Sequence, residues 1–175
     1  MSELKDINKP VMVIMAGPSI AELEENIESF RDIDCYWVTV NKNQYNLDLE
    51  DKILAKIGKK IDYVFDHNKH AYADVGSLCN CVIHLMRNGA TSIYLFGADG
   101  GQIPSYPNLY HGIDRTKIKD ITADAEKMNN NFKEWALTKI INSSMESNYT
   151  CFEKKPYAEI IKEVQSLFKH IPIIT

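Results

Sequence analysis

The sequence predicts an α/β fold: a Rossmann-like three-layer sandwich with a mostly parallel sheet of about five strands. Two observations predict it. Short apolar runs of strand length alternate with amphipathic segments of helical period. The first of these runs, PVMVIMAG at 10–17, is apolar throughout. Unbroken runs of that kind mark strands covered on both faces, whereas an open sheet gives alternation. Strands joined through helices pair in parallel by right-handed crossovers, which puts helices on both faces of the sheet.

Taken in order, strand one spans 10–17 and leads into a helix with Ile20, Leu23, Ile27 and Phe30 on one face. CYWVTVN (35–41) is β-branched and aromatic and predicts strand two. DKILAKIG (51–58) predicts a short helix closed by Gly58, and DYVFDHN (62–68) predicts strand three. From Asp74 to Asn88 the pattern is helical, with Val75, Leu78 and Val82 turned inward and Gly89 as its C-terminal stop. SIYLFGAD (92–99) predicts strand four. A long loop follows over 100–119, holding three Gly, two Pro and two Tyr. Loops of that length are commonly functional. A long helix is expected from Ile121 to Asn142, with Ala125, Met128, Phe132, Trp135 and Lys139 at heptad-like spacing. YTCFEK (149–154) predicts the fifth strand, and Pro156 opens a last helix over 156–169.

The bulk properties bound the function. At 175 residues the chain suits one core and is short for two, so a single domain over 1–175 is expected. The net charge of −4, with Lys and Arg scattered among the acids, argues against nucleic acid as a partner. It leaves room for a small anionic ligand. No apolar stretch approaches the roughly 18 residues of a membrane span, and MSELKDINKP has no signal-peptide core. The four cysteines lack paired CxxC spacing and are read as reduced thiols of a cytoplasmic protein. The oligomeric state is left open between monomer and homo-oligomer.

In sheets of this type ligands bind beyond the carboxyl ends of the strands. There the sequence places Gly17, Pro18 and Ser19 after strand one, and Asn41 after strand two. Asp66, His67, Asn68 and His70 follow strand three, and Gly97, Asp99, Gly100 and Gly101 follow strand four. The amides after Gly17 are candidates for a phosphate, while Ser19-Ile20-Ala21-Glu22 fits a self-contained capping box. The turn is neither a Walker motif nor GxGxxG. Asp99 is a candidate hydroxyl or metal contact. Asp66, with His67 and Asn68, could join Asp99 around Mg²⁺, for which oxygen ligands are suited. His111, in the long loop near Tyr106 and Tyr110, is a candidate general acid or base. His84, within a helix, reads as structural or exposed.

VIMAGPSI resembles the Gly-Ala-Gly-Pro-Ser-Leu turn of proteins related to archaeal 6-hydroxymethyl-dihydropterin pyrophosphokinase and of motility accessory factors linked to flagellin glycosylation. GSLCNCVIHLMRNGATSIYLFGAD resembles the segment in which those proteins pair a small-residue helix with a strand ending in Gly-x-Asp. Similar segments occur in small bacterial sialyltransferases that use CMP-sialic acid. The resemblance spans roughly residues 10 to 115. It implies that Gly17 and Ser19 contact nucleotide phosphates or ribose, and that Asn41 and Ser77 lie near the nucleotide. It also implies that Asp99 matches the Asp ending strand four and that His111 is the counterpart of a loop base. Two positions depart from it: Ala16 stands where the sialyltransferases have Asn, and Met15 where the pyrophosphokinase branch has Gly.

The resemblance implies a nucleotide- or nucleotide-sugar-binding transferase, glycosyltransferase-like, in surface-polysaccharide or flagellin glycosylation. Its partners would be a CMP-sugar or ATP and a small-molecule or glycan acceptor. One alternative is a Mg²⁺-dependent, ATP-dependent diphosphokinase acting on a small alcohol such as a hydroxymethylpterin, with Asp66 and Asp99 as its acidic pair. The other is a non-catalytic nucleotide-binding module.

Overall fold

The computed structural model describes residues 4–41, 47–72, 76–101, 105, 109–110, 113–114, 122–132 and 138–168. Its central sheet has six parallel strands: β1 (Pro10–Ile14), β2 (Tyr36–Val40), β3 (Tyr63–Phe65), β4 (Ser92–Phe96), β7 (Lys139–Asn142) and β8 (Glu153–Lys154). They lie in the order β3-β2-β1-β4-β7-β8, and every pairing is parallel. The helices are α1 (Ile20–Asn26), α2 (Leu47–Ala55), α3 (Ser77–Arg87), α4 (Thr122–Phe132) and α5 (Tyr157–Phe168). The α/β three-layer expectation holds, with six strands rather than about five.

The reason for the layering is visible residue by residue. All five residues of β1 and all five of β4 are buried. Val11, Val13, Ile93 and Leu95 point into one core with Leu78 and Val82 of α3 and Met128 of α4. Met12, Ile14, Tyr94 and Phe96 point into the other, with Ile20 and Leu23 of α1, Ile53 of α2 and Ile160 of α5. Strand alternation therefore feeds two apolar layers at once, which is why these strands carry no polar face. In the second layer Phe30 meets Trp37 and Phe96 edge-on, with ring centroids 6.0 and 5.4 Å apart.

Three expectations are corrected. The long helix expected over 121–142 ends at Phe132, and 139–142 is a strand. Ile140 belongs to one core and Ile141 to the other. Neighbours pointing to opposite faces satisfy a strand, whereas on a helix they would lie only about 100° apart. The fifth-strand segment 149–154 pairs only at Glu153–Lys154, on the edge of the sheet. The long loop contains a two-stranded antiparallel ribbon, β5 (Leu109–Tyr110) with β6 (Ile113–Asp114). Helix α3 ends as expected: Ala90 N–H donates to Leu85 O at 3.0 Å and Gly89 has φ +91°. Among the described residues, no helix is long and apolar enough to cross a membrane.

Candidate functional site

Chain order runs outward from β1 through β2 to β3, then returns to place β4 on the other side of β1. The reversal makes the crevice between the carboxyl ends of β1 and β4 the switch point, where ligands of such sheets are bound. Gly17 and Gly97 face each other there. Gly17 N–H donates to Gly97 O at 2.9 Å. A Cβ on Gly17 would lie 2.2 Å from that oxygen and 2.5 Å from Asp99 Oδ2. A Cβ on Gly97 would lie 2.5 Å from Met15 O, and its φ of +74° suits only glycine well. The glycines let two strand ends touch.

The N-terminus of α1 is closed by the protein itself. Ser19 N–H donates to Asp99 Oδ2 at 2.8 Å, and the Ser19 hydroxyl donates to Asp99 Oδ1 in a short hydrogen bond. Both residues are almost wholly buried. The capping box expected of Ser19 and Glu22 is absent: Ser19 has helical angles and makes no side-chain cap. Ile20, Ala21 and Glu22 donate to the carbonyls of Gly17, Pro18 and Ser19, and Pro18 has no amide proton. The amides expected to cradle a phosphate are thus engaged, and the anion at this helix end is Asp99.

The carboxyl ends of β2 and β3 are arranged differently. Asn41 has φ +52°, a left-handed conformation that asparagine tolerates. Its N–H extends the ladder to Phe65 O at 2.9 Å. Its side chain joins two elements: Oδ1 accepts from His67 N–H at 3.2 Å, and Nδ2 donates to Ser77 Oγ at 2.6 Å. Ser77 opens α3, whose N-terminus has no side-chain cap and no acidic residue in its first turn. Among the described residues, the earliest amide of α3 with a backbone acceptor is Asn80 N–H, bonded to Gly76 O. The Ser77, Leu78 and Cys79 amides meet no acceptor among the described residues, in contrast to the first turn of α1.

The loop after β3 is clamped onto α3. Asn80, fully buried, accepts from Tyr72 N–H at 2.6 Å and donates to Gly76 O at 2.9 Å; its Nδ2 also reaches His67 Nδ1 at 3.2 Å. His70 packs on His84 with centroids 4.3 Å apart, and the Tyr72 hydroxyl meets His84 Nδ1 at 2.9 Å. His84 is buried.

The expected site residues fall into two groups. Gly17, Pro18, Ser19, Gly97 and Asp99 meet at the β1–β4 crevice; Asn41 and Ser77 meet at the β2–β3 end. Asp66 is not brought to Asp99. Their strands are three positions apart, about 14 Å at ordinary strand spacing, and Asp66 Oδ1 accepts from Asn68 N–H at 2.9 Å. No group of three or more potential metal ligands occurs among the described residues. His111 lies outside the described residues. Sequence reasoning passed over Asn80, although an asparagine inside an apolar helical stripe is itself a signal, since a buried amide requires partners.

Comparison of the chain with protein-family models, curated proteins and solved structures gives no match.

Proposed function

We propose that this chain binds a nucleotide or nucleotide-sugar along the carboxyl edge of its sheet and transfers a group from it, as a glycosyltransferase-like enzyme. One observation carries the reading: four adjacent parallel strands end in polar or glycine-rich residues, on both sides of the switch point. The resemblance of the Gly-Pro-Ser turn and the Gly-x-Asp strand end to nucleotide-using proteins supports it. The two strand ends have different tasks in this reading. The crevice at Gly17, Ser19, Gly97 and Asp99 is packed and supplies rigidity, while the open first turn of α3, with Ser77 and Asn41, receives the phosphate. His111 is the base assigned to take the proton from an acceptor hydroxyl as that oxygen bonds to the transferred sugar and the nucleotide leaves.

The diphosphokinase alternative needs two carboxylates around Mg²⁺, and Asp66 and Asp99 are too far apart for that pairing. The test is a thermal-shift and calorimetric panel of CMP, UDP, GDP and ATP on the full chain. A bound nucleotide at about 100 times its Kd stabilises the fold by about 2.7 kcal/mol, which raises the Tm by several degrees. A flat response across the panel would overturn the reading. Unchanged turnover in His111→Ala would remove that residue from catalysis.

A further inference from the structure

His67 is absent from the residues that the resemblance brings to the nucleotide, and the hydrogen bonds around it decide which of its ring atoms is offered outward. The Asn80 amide is oriented by two backbone groups whose roles cannot be exchanged. Tyr72 N–H can only donate, so the atom it meets at 2.6 Å is Oδ1; Gly76 C=O can only accept, so the atom 2.9 Å from it is Nδ2. The nitrogen 3.2 Å from His67 Nδ1 is consequently a donor. His67 Nδ1 must accept, and in the neutral ring the proton is carried by Nε2.

The Asn41 amide is oriented in the same way. His67 N–H can only donate, so it meets Oδ1, and Nδ2 is left to donate to Ser77 Oγ. The Ser77 oxygen is then an acceptor toward Asn41, and its own hydrogen has no acceptor among the described residues. The backbone of His67 is held by Asn41, its ring by Asn80, and its loop by the packing of His70 on His84. His67 is only half-buried, and Nε2 makes no hydrogen bond to a described residue. Two polar hydrogens, His67 Nε2–H and Ser77 Oγ–H, have no acceptor among the described residues at this end of the sheet.

We infer that His67 is a ligand-binding residue whose Nε2–H, fixed by Asn80, donates to an anionic phosphate oxygen of the ligand. This rests on the nucleotide-binding reading above and extends it: the chain recognises the phosphate through an imidazole donor from the β3 end, beside Ser77. Asn80 is a positioning residue, acting through the ring of His67.

The test compares two substitutions in the full chain by calorimetry, using whichever of CMP, UDP, GDP and ATP the unmodified protein binds. In His67→Gln the amide nitrogen reaches the place of Nε2, whereas in His67→Asn it reaches only the place of Nδ1. Loss of one hydrogen bond to a charged oxygen weakens binding about tenfold or more, so His67→Asn is expected to lose that much and His67→Gln to retain most of the affinity. Equal affinity in His67→Asn and the unmodified protein, or an equal loss in both variants, overturns the inference and leaves nucleotide binding standing. Failure of the unmodified protein to bind any of the four overturns both. Nitrogen-15 NMR of the unmodified protein gives a readout independent of binding: in the uncharged form of the ring the proton is expected on Nε2, and an uncharged ring with its proton on Nδ1 overturns the inference.

Discussion

Two helix N-termini open onto the same edge of this sheet, and they end in opposite states. Helix α1 meets a carboxylate from its own chain: Asp99, from beyond β4, takes both the amide and the hydroxyl of Ser19. Helix α3 has no side-chain cap among the described residues, and Asn41 and His67 gather beside its first residue. The first arrangement compensates the helix end internally, while the second leaves first-turn donors without a partner among the described residues, as the proposed phosphate site requires. Sequence resemblance to a binding motif and openness to a ligand are therefore separate properties here. The Gly-Pro-Ser turn carries the resemblance, but its amides are engaged by the fold.

The largest expected effect tests the closed end. Gly17→Ala puts a methyl group 2.2 Å from Gly97 O, a backbone atom that cannot rotate away. Overpacking of a buried contact costs about 1–3 kcal/mol, and more where backbone must move. The variant should lose about 3 kcal/mol or fail to fold, as measured by urea unfolding. A variant of unchanged stability would mean that β1 and β4 do not approach as described.

A paired substitution sharpens the contrast between the ends. Asp99→Asn removes the charge from a buried network and leaves one acceptor for two donors, for an expected loss of about 2 kcal/mol. Ser77→Ala removes one half-buried hydroxyl, with an expected stability change below about 1 kcal/mol. Nucleotide affinity should respond in the reverse order, falling about tenfold in Ser77→Ala, because Ser77 has a donor with no acceptor among the described residues whereas Asp99 is engaged by Ser19. Stability loss in Ser77→Ala with full affinity would reverse the assignment of the two ends.

Much of this architecture is legible in the sequence because burial on both faces leaves an unmistakable trace: β1 is apolar at every position and β4 at every position after Ser92, and no alternation competes with that pattern. β7 was not legible. KII follows WALT at a spacing compatible with a continuing helix, and a two-residue apolar pair is too short to fix its own period. At the site, strand ends are legible because turns need Gly, Asn and Asp. Which of them touch is set by strand order, and one-dimensional spacing does not contain that order. It separates Asp66 from Asp99 and joins Ser19 to Asp99 across 80 positions. The part played by Asn80 was hidden because its partners lie before it in a loop of irregular geometry.

The smallest effect tests whether the open end is open only to ligands or also loosely packed. Cys79 lies in the first turn of α3, where a thiol facing the helix amides becomes more acidic. Here the sulfur belongs to the core beneath, and burial pushes the Cys79 thiol from 9.0 up to about 12. That shift lowers the thiolate fraction at pH 8 by about a thousandfold relative to an exposed thiol. A buried thiol favours folding while it is protonated in both states, so its contribution is complete below about pH 9. It is lost as pH rises toward 12, because the unfolded chain then releases the proton first. Cys35 behaves alike, pushed up by burial to about 12. With an aromatic disulfide reagent at pH 8, the partly exposed Cys151 should react while Cys35, Cys79 and Cys81 stay protected until the protein unfolds. Peptide mapping of the labelled protein checks it. Labelling of Cys79 at the rate of Cys151 would mean that the first turn of α3 opens on its own, and that its uncapped amides reflect weak structure instead of a prepared site.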